Sequence, residues 1–289
     1  MKPSMNRDPN FNWQRIKQNP KLSAWWLYAR ITGNKRALPN FIIAGTARAG
    51  TTSLFQYLSD HPKILPSFRK EIKYFDIHYF MGIQWYRSHF PYIYKLKKIE
   101  GLTGEASPNY LGHPTAMQRI ALALPDVKII IILRNPIDRA YSHYHLSIKA
   151  GDENLKFNEA IDLEPVRLRG ETEKIIANYT YPQGNFIKHS YLSRGLYIEQ
   201  VPKVFKLFNL DNILILSSED FYRDPRKIFY QIQEFLNLPT WEPKNYKAFK
   251  QSVYQEPMDD ELRKQLVEYY RPYNLKLYDF LNRDFGWEK

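Results

Sequence analysis

The chain contains no cysteine, which excludes disulfides, thiolate nucleophiles and cysteine-bearing zinc sites but assigns no compartment. Long apolar runs are missing too. No window approaches the roughly 18 apolar residues of a membrane span, and residues 1–20 lack the apolar core of a signal peptide. A cytoplasmic location is therefore expected. Histidine is sparse, seven residues in 289. His143 and His145 stand two apart, which on a helix turns them to different sides, and no HExxH spacing occurs. No metal site is expected.

Acidic residues are outnumbered, 30 against 42 basic, for a net charge of +12. Such a balance suits an anionic ligand, an acidic acceptor, nucleic acid or an anionic membrane surface. The excess is uneven. Residues 1–40 carry Lys2, Arg7, Arg15, Lys17, Lys21, Arg30, Lys35 and Arg36 against Asp8 alone. In the same segment Leu22, Trp25, Trp26 and Ala29 recur at helical spacing. Two readings stand: a basic amphipathic helix touching a membrane or lipid substrate through residues 15–36, or a short helix packing its tryptophans onto the domain with solvated charges outside. The second is the plainer. Residues 1–38 are read as a basic helical extension and 39–289 as one domain, because 44% hydrophobic content over 289 residues fits one large α/β core better than two small ones.

Phe41-Ile42-Ile43-Ala44 is a β-branched and aromatic run ending in Gly45, hence a buried strand. Small polar residues Thr46–Ser53 follow, then Leu54, Phe55 and Leu58 at helical spacing until His61-Pro62. A second strand is signalled by Val127–Leu133, followed by Arg134-Asn135-Pro136 and a helix from Ile137 to about Lys149. A third, Ile213–Leu216, precedes Asp224-Pro225 and a helix ending near Leu238-Pro239. Repeated strand–helix alternation predicts a parallel sheet covered on both faces. Residues 151–190 are polar and poorly periodic, and are expected to form a variable lid or acceptor-binding insertion.

Gly45-x4-Gly50-Thr51-Thr52, between a strand and a helix, resembles the Walker A pattern, in which backbone N–H groups at a helix N-terminus surround phosphate oxygens. Its lysine is missing. Thr51 takes that place and Arg48 appears inside the loop, which suits one phosphate with a terminal group of lower charge. A small-residue turn also occurs in α/β proteins without a ligand, so the loop alone decides nothing. Arg134 follows the isoleucine strand at the edge where open α/β sheets bind ligands. Ser142, eight residues on, can converge with it on a further phosphate, the arginine as a fork of donors and the serine as a hydroxyl. Separately these are an ordinary ion pair and a solvated hydroxyl. With the loop they become specific.

These residues resemble those of sulfotransferases that use 3′-phosphoadenosine 5′-phosphosulfate (PAPS). Phe41–Ser53 is similar to the family's 5′-phosphosulfate loop and Ile132–Ser142 to its 3′-phosphate motif. The likeness is closest to the heparan-sulfate N- and 3-O-sulfotransferases and their bacterial relatives. It continues through Lys70-Glu71-Ile72-Lys73-Tyr74-Phe75-Asp76, Gly104–Tyr110 and Phe221–Pro225, with a looser match at Asp284–Trp287. It implies the sulfotransferase fold, a P-loop-like parallel β-sheet flanked by helices. It implies PAPS as donor and 3′,5′-adenosine bisphosphate (PAP) as product, without a metal. Donor contacts fall to Arg48, Ala49, Gly50, Thr51, Thr52, Ser53, Arg134 and Ser142, with Lys250 as a C-terminal contact. Acceptor contacts fall to Lys70, Glu71, Lys73, Glu105 and Ser107. Two departures stand out. Arg48 replaces the family's lysine and can stabilise charge but not donate a proton. Gln251–Pro257 lacks the basic residues and glycine of the family's C-terminal loop.

By this resemblance Glu71 is the base for the acceptor hydroxyl or amine and Arg48 offsets charge on the leaving oxygen. From the residues alone, Glu71 reads as an ion-pair partner of Arg69, Lys70 or Lys73, and Glu105 as a buried structural carboxylate. The acceptor is expected to be a carbohydrate or glycolipid, since sugar rings stack on aromatic faces; nucleic acid is not an expected partner. Other classes predict different features. A P-loop kinase needs the missing lysine and a magnesium-binding aspartate, and a non-catalytic anion- or membrane-binding module needs only the charge.

Overall fold

The computed structural model describes residues 19–246 and 257–288. Four strands form one parallel sheet in the order β2-β1-β3-β4: β1 is Phe41–Gly45, β2 Gly104–Ala106, β3 Lys128–Leu133 and β4 Ile213–Ser217. Phe41 pairs with Gly104 on one side and Lys128 on the other, and Ile129 to Leu133 run in register with Ile213 to Ser217. All five β1 residues are buried. Such strands read as unbroken apolar runs because helices cover both sheet faces.

The alternation of side chains sorts the isoleucines of β3 between two cores. Ile129, Ile131 and Leu133 join Ile42 and Ala44 in a cluster with Tyr74, Tyr86, Tyr110 and Trp287. Ile130 and Ile132 join Phe41 and Ile43 against Leu54, Phe55 and Leu58 of α2, Thr51–Asp60, and against Phe221, Ile228 and Phe229. The parallel two-faced sheet is as expected. The strand β2 was not anticipated: three residues long and carrying a glutamate, it offers no period to read.

The helix α1, Pro20–Thr32, starts at Asn19, whose side chain accepts from the N–H groups of Lys21 and Leu22. Ala29, Leu22 and Trp26 pack on the first cluster. Trp25 donates its indole N–H to Ser88 Oγ at 3.0 Å and stacks on His89 at 5.3 Å. The outer side is not the charged face expected: Ala24, Leu27, Tyr28 and Ile31 are exposed there, flanked by Lys21 and Arg30.

Short helices Ile83–Arg87 (α3) and Ile93–Ile99 (α4) precede β2, and Ala116–Ala123 (α5) follows it. The helix α6, Pro136–Ala150, leaves β3 through Asn135, whose side chain accepts from the Ile137 N–H at 2.9 Å while Pro136 takes the first helical turn. Residues 151–190, read as irregular, hold three short helices: α7 Phe157–Arg167, α8 Glu171–Ala177 and α9 Gly184–His189. Pro165 inside α7 explains the broken period. A third apolar cluster joins α6 and α7 to the long C-terminal helix Asp260–Leu281 through Ile137, Phe157, Ile161, Leu266 and Tyr270.

Because neither sheet face is wet, Ile130→Ala and Ile131→Ala, which point to opposite cores, are each expected to cost about 2–5 kcal/mol. Urea unfolding of the two variants tests this. A loss confined to one of them would mean that one face is not a packed core.

Candidate active site

Strand order reverses between β1 and β3: the chain moves from β1 to β2 on one side, then returns past β1 to β3 and β4. The crevice beyond the carboxyl ends of β1 and β3 is thus a topological switch point, the ligand position of open α/β sheets. A cleft of about 1550 Å³ lies there.

One end is built from the loop between β1 and α2. The Thr46 N–H is held by Ile132 O at 2.8 Å, which ties the loop to the neighbouring strand. Gly50 caps α2 at φ 101°, and a Cβ there would come within 3.0 Å of Tyr222 Oη. Only glycine adopts that backbone without strain while leaving room for the tyrosine. Ala47, Arg48, Gly50, Thr51 and Thr52 line the cleft, with the α2 N-terminus among them. Ala49 and Ser53 are fully buried behind the lining.

Arg48, Arg134 and Ser142 meet at this end. Arg48 Nε donates to Ser142 Oγ at 2.8 Å, and Arg134 donates to the Arg48 carbonyl at 2.9 Å. Tyr197 O–H holds the Arg134 carbonyl at 2.9 Å. The Arg48 guanidinium is thereby directed toward the serine on α6. Glu219, just after β4, accepts from the Asn135 N–H at 2.8 Å and from Ser217 Oγ at 3.0 Å, locking the ends of β3 and β4 together.

The cleft lining also carries Lys70, Glu71 and Lys73. Glu71 and Lys73 both sit at positive φ, 58° and 56°, a conformation non-glycine residues keep only when their surroundings impose it. Glu71 N–H is held by Ala106 O at 3.0 Å. Lys73 N–H donates to Ser107 Oγ at 3.2 Å, and the Tyr74 N–H to Tyr110 Oη at 3.0 Å. The Glu71 carboxylate pairs with Lys70 at 3.1 Å and Lys73 at 3.3 Å. Burial alone would raise its pKa, but the two ammonium groups outweigh that and hold it below the ordinary glutamate value. The ion pairs and the cleft position coexist.

Glu105 and Ser107, expected at the acceptor, stand one layer behind the cleft and do not line it. Glu105 is fully buried on β2 and accepts from Ser107 Oγ at 2.7 Å, Tyr86 Oη at 2.8 Å and Tyr110 Oη at 3.1 Å. The same two hydroxyls, of Ser107 and Tyr110, receive the N–H groups of Lys73 and Tyr74. Glu105 therefore orders the strained Glu71 loop through two hydroxyl relays. Burial pushes its carboxyl up to about 7, against the hydrogen bonds that favour its charge, and pushes nearby Asp76 up to about 6.

Several lining residues were not singled out by the sequence: Arg194, Lys188, Ser218 and Glu219 lie outside every quoted motif, while Asn109 and Tyr222 lie within the matching stretches Gly104–Tyr110 and Phe221–Pro225 but were given no role there. Arg194 is buried, donates to Asn109 Oδ1 at 2.6 Å and lies over the Phe186 ring at 4.9 Å. Lys250 falls outside the described residues.

A carboxyl whose folded pKa is raised makes the folded state bind more protons, so stability falls as pH rises from the ordinary glutamate range to about 7. Glu105→Gln is expected to flatten that slope and lower turnover by loosening the Glu71 loop. Melting temperature against pH checks it; an unchanged slope would mean that Glu105 is not the group responsible.

Comparison with known proteins bears on this geometry. A sulfotransferase domain family model matches residues 38–273. The solved sulfotransferase from Alicyclobacillus acidocaldarius is 30% identical with a TM-score of 0.68, covering 88% of this chain and 100% of that one. The membrane-associated sulfotransferase kil1 of Dictyostelium discoideum is 28% identical, over 89% of this chain and 68% of its own length. The bifunctional heparan sulfate N-deacetylase/N-sulfotransferase 1 of Caenorhabditis briggsae is 28% identical over 76% of this chain, which spans only 25% of that protein. With a phosphate-type loop at the switch point of a parallel sheet and a family match over most of its length, the chain belongs to the sulfotransferase domain family.

Proposed function

We propose that the chain transfers a sulfuryl group from PAPS to a hydroxyl or amine of a carbohydrate or glycolipid acceptor. The convergence of Arg48, Arg134, Ser142 and the α2 N-terminus on one cleft whose lining also holds Glu71 carries this reading. The cleft exceeds the roughly 300–1,000 Å³ of a typical small-ligand pocket, leaving room for donor and acceptor together. Relatives named for heparan sulfate support a sugar acceptor.

The residues present suit the donor. Backbone N–H groups of Gly50–Ser53 and the α2 dipole donate to the 5′-phosphosulfate, and Arg134 with Ser142 donate to the 3′-phosphate. Arg48, between them, adds positive charge to both. When bound, PAPS supplies the sulfuryl group and a phosphate leaving group. Little covalent work is left to the protein beyond alignment and charge stabilisation. Glu71, kept ionised by Lys70 and Lys73, takes the acceptor proton. Glu105 and Ser107 act as positioning residues for that loop. Lys250 is retained as a donor contact.

The segment 151–190 is proposed as the acceptor-side insertion, since Asp152, Ile187 and Lys188 border the cleft. Residues 1–38 are proposed as a basic helical extension, whose helix α1 packs onto the first core of the domain. The reading includes action from the cytoplasm with peripheral membrane contact through residues 15–36, supported by a relative named as membrane-associated. The kinase alternative is disfavoured by Thr51 in place of the Walker lysine.

The donor assignment predicts that PAP raises the melting temperature without magnesium, and more than adenosine 5′-phosphate does. Arg134→Ala and Ser142→Ala are expected to abolish the difference between the two ligands, because only PAP has a 3′-phosphate. Stabilisation by magnesium–ATP alone would instead favour a kinase.

For the base, Glu71→Gln is expected to lower turnover by about 10²–10⁴-fold with little change in PAP affinity. The wild-type rate needs the ionised carboxylate. It should hold at neutral pH and fall only below the ordinary glutamate range, as pH drops through the lowered pKa. That acid limb should vanish in the variant. A glutamine enzyme with wild-type turnover removes Glu71 from the chemistry.

A further inference from the structure

The outer face of α1 is apolar where a surface helix of a basic segment should be polar. Leu27 is 55% and Ile31 68% exposed, and they lie one turn apart on the same side. The face does not end at the helix. Tyr28 lies over the Arg36 guanidinium at 5.4 Å, Phe68 over it at 5.1 Å and Tyr92 at 4.1 Å, and Tyr92 stacks on Tyr94 at 5.8 Å. Phe68 and Tyr94 are themselves 65% and 64% exposed. Arg36 is buried beneath them, with its charge held by the Phe90 carbonyl at 2.7 Å. The result is a continuous aromatic and aliphatic patch drawn from three separate segments.

Its surroundings are mostly basic, with Glu100 at the end of α4 paired to Lys63 at 3.7 Å. Residues 19–40 contain no acidic residue, and neither does α4; Lys21, Arg30, Lys35, Lys95, Lys97 and Lys98 are exposed. Aromatic rings with a cationic rim suit the headgroup region of an anionic bilayer, where rings sit at the interface and lysines meet lipid phosphates. A polyanionic sugar would also use the cations and the rings. It would leave Leu27 and Ile31 unused, whereas acyl chains cover them.

We propose that the patch formed by α1, the turn at Phe68 and α4 docks on an anionic lipid bilayer. This deepens the peripheral-contact reading above by naming the surface, and it extends that contact well beyond residues 15–36. Phe68 stands two residues before Lys70 of the cleft, so docking brings the acceptor end of the active site beside the headgroups. A membrane-borne glycolipid then reaches Glu71 without leaving the bilayer.

Co-sedimentation of the full chain with vesicles tests the proposal, using phosphatidylcholine alone and phosphatidylcholine mixed with phosphatidylglycerol. Wild type is expected to bind the anionic vesicles at least about tenfold more tightly than the neutral ones, and to lose that preference at high salt. Leu27→Ser with Ile31→Ser, and separately Lys95→Glu with Lys97→Glu and Lys98→Glu, should each weaken binding about tenfold or more. The melting-temperature shift with PAP should stay unchanged, which shows the variants folded. Equal binding to both vesicles, or variants that bind as wild type does, overturns the proposal. So does a dimer in sedimentation velocity that Leu27→Ser and Ile31→Ser dissociate, because the face would then belong to a second copy. Vesicle binding without any PAP shift would leave this surface standing while defeating the donor assignment.

Discussion

The parallel pairing of β1 with β3 is the constraint on which the site depends. It sets the loop after Gly45 beside Arg134, and the Thr46 N–H to Ile132 carbonyl bond makes that neighbourhood part of the sheet itself. Parallel strands point their carboxyl ends the same way, so both motifs open onto one crevice. Reversal of strand order at this point keeps a crossover connection from covering it. Arg48 and Ser142, 94 residues apart in sequence, are joined as a result.

A second layer of order runs from a buried charge-bearing group to an exposed one. Glu105 is hidden in β2, where a carboxylate costs free energy unless it is hydrogen-bonded. Its partners are the same hydroxyls that capture the backbone of residues 73 and 74. The positive φ values of Glu71 and Lys73 are thus held from behind, while Lys70 and Lys73 hold the Glu71 carboxylate ionised from the sides. Position and protonation of the proposed base have separate physical causes. Arg48 extends the same division of labour to the donor end: its fixed charge needs no proton balance, and its bond to Ser142 places that charge.

The apolar side of α1 sits beside this machinery rather than within it. Its inner residues complete the first core, and its outer ones join rings carried by two other segments around the buried Arg36. A cation beneath a ring of aromatic faces needs no carboxylate partner when a carbonyl takes its donors. Within α1 and α4 the rim lysines have no acidic residue, and Glu100 at the end of α4 pairs with Lys63. The positive excess of the N-terminal segment therefore remains available to an outside surface.

What the sequence determined by itself was local. The apolar runs of β1, β3 and β4, the small-residue loop before α2 and the Arg134–Ser142 spacing were legible because each has its own period or chemistry over a few neighbouring residues. Tertiary structure decided whatever depended on distant partners. The strand β2 is too short to show a period and exists because β1 offers it an edge. Glu105 reads from the sequence either as an acceptor contact or as a buried structural carboxylate, and only Tyr86, Ser107 and Tyr110 closing around it decide for the second. Arg194 enters the cleft from a segment with no motif, and Asn109 and Tyr222 from matching stretches that do not show which of their residues face it. Even the outward face of α1 was settled by packing, since helical spacing shows which residues share a side but not which side meets the core.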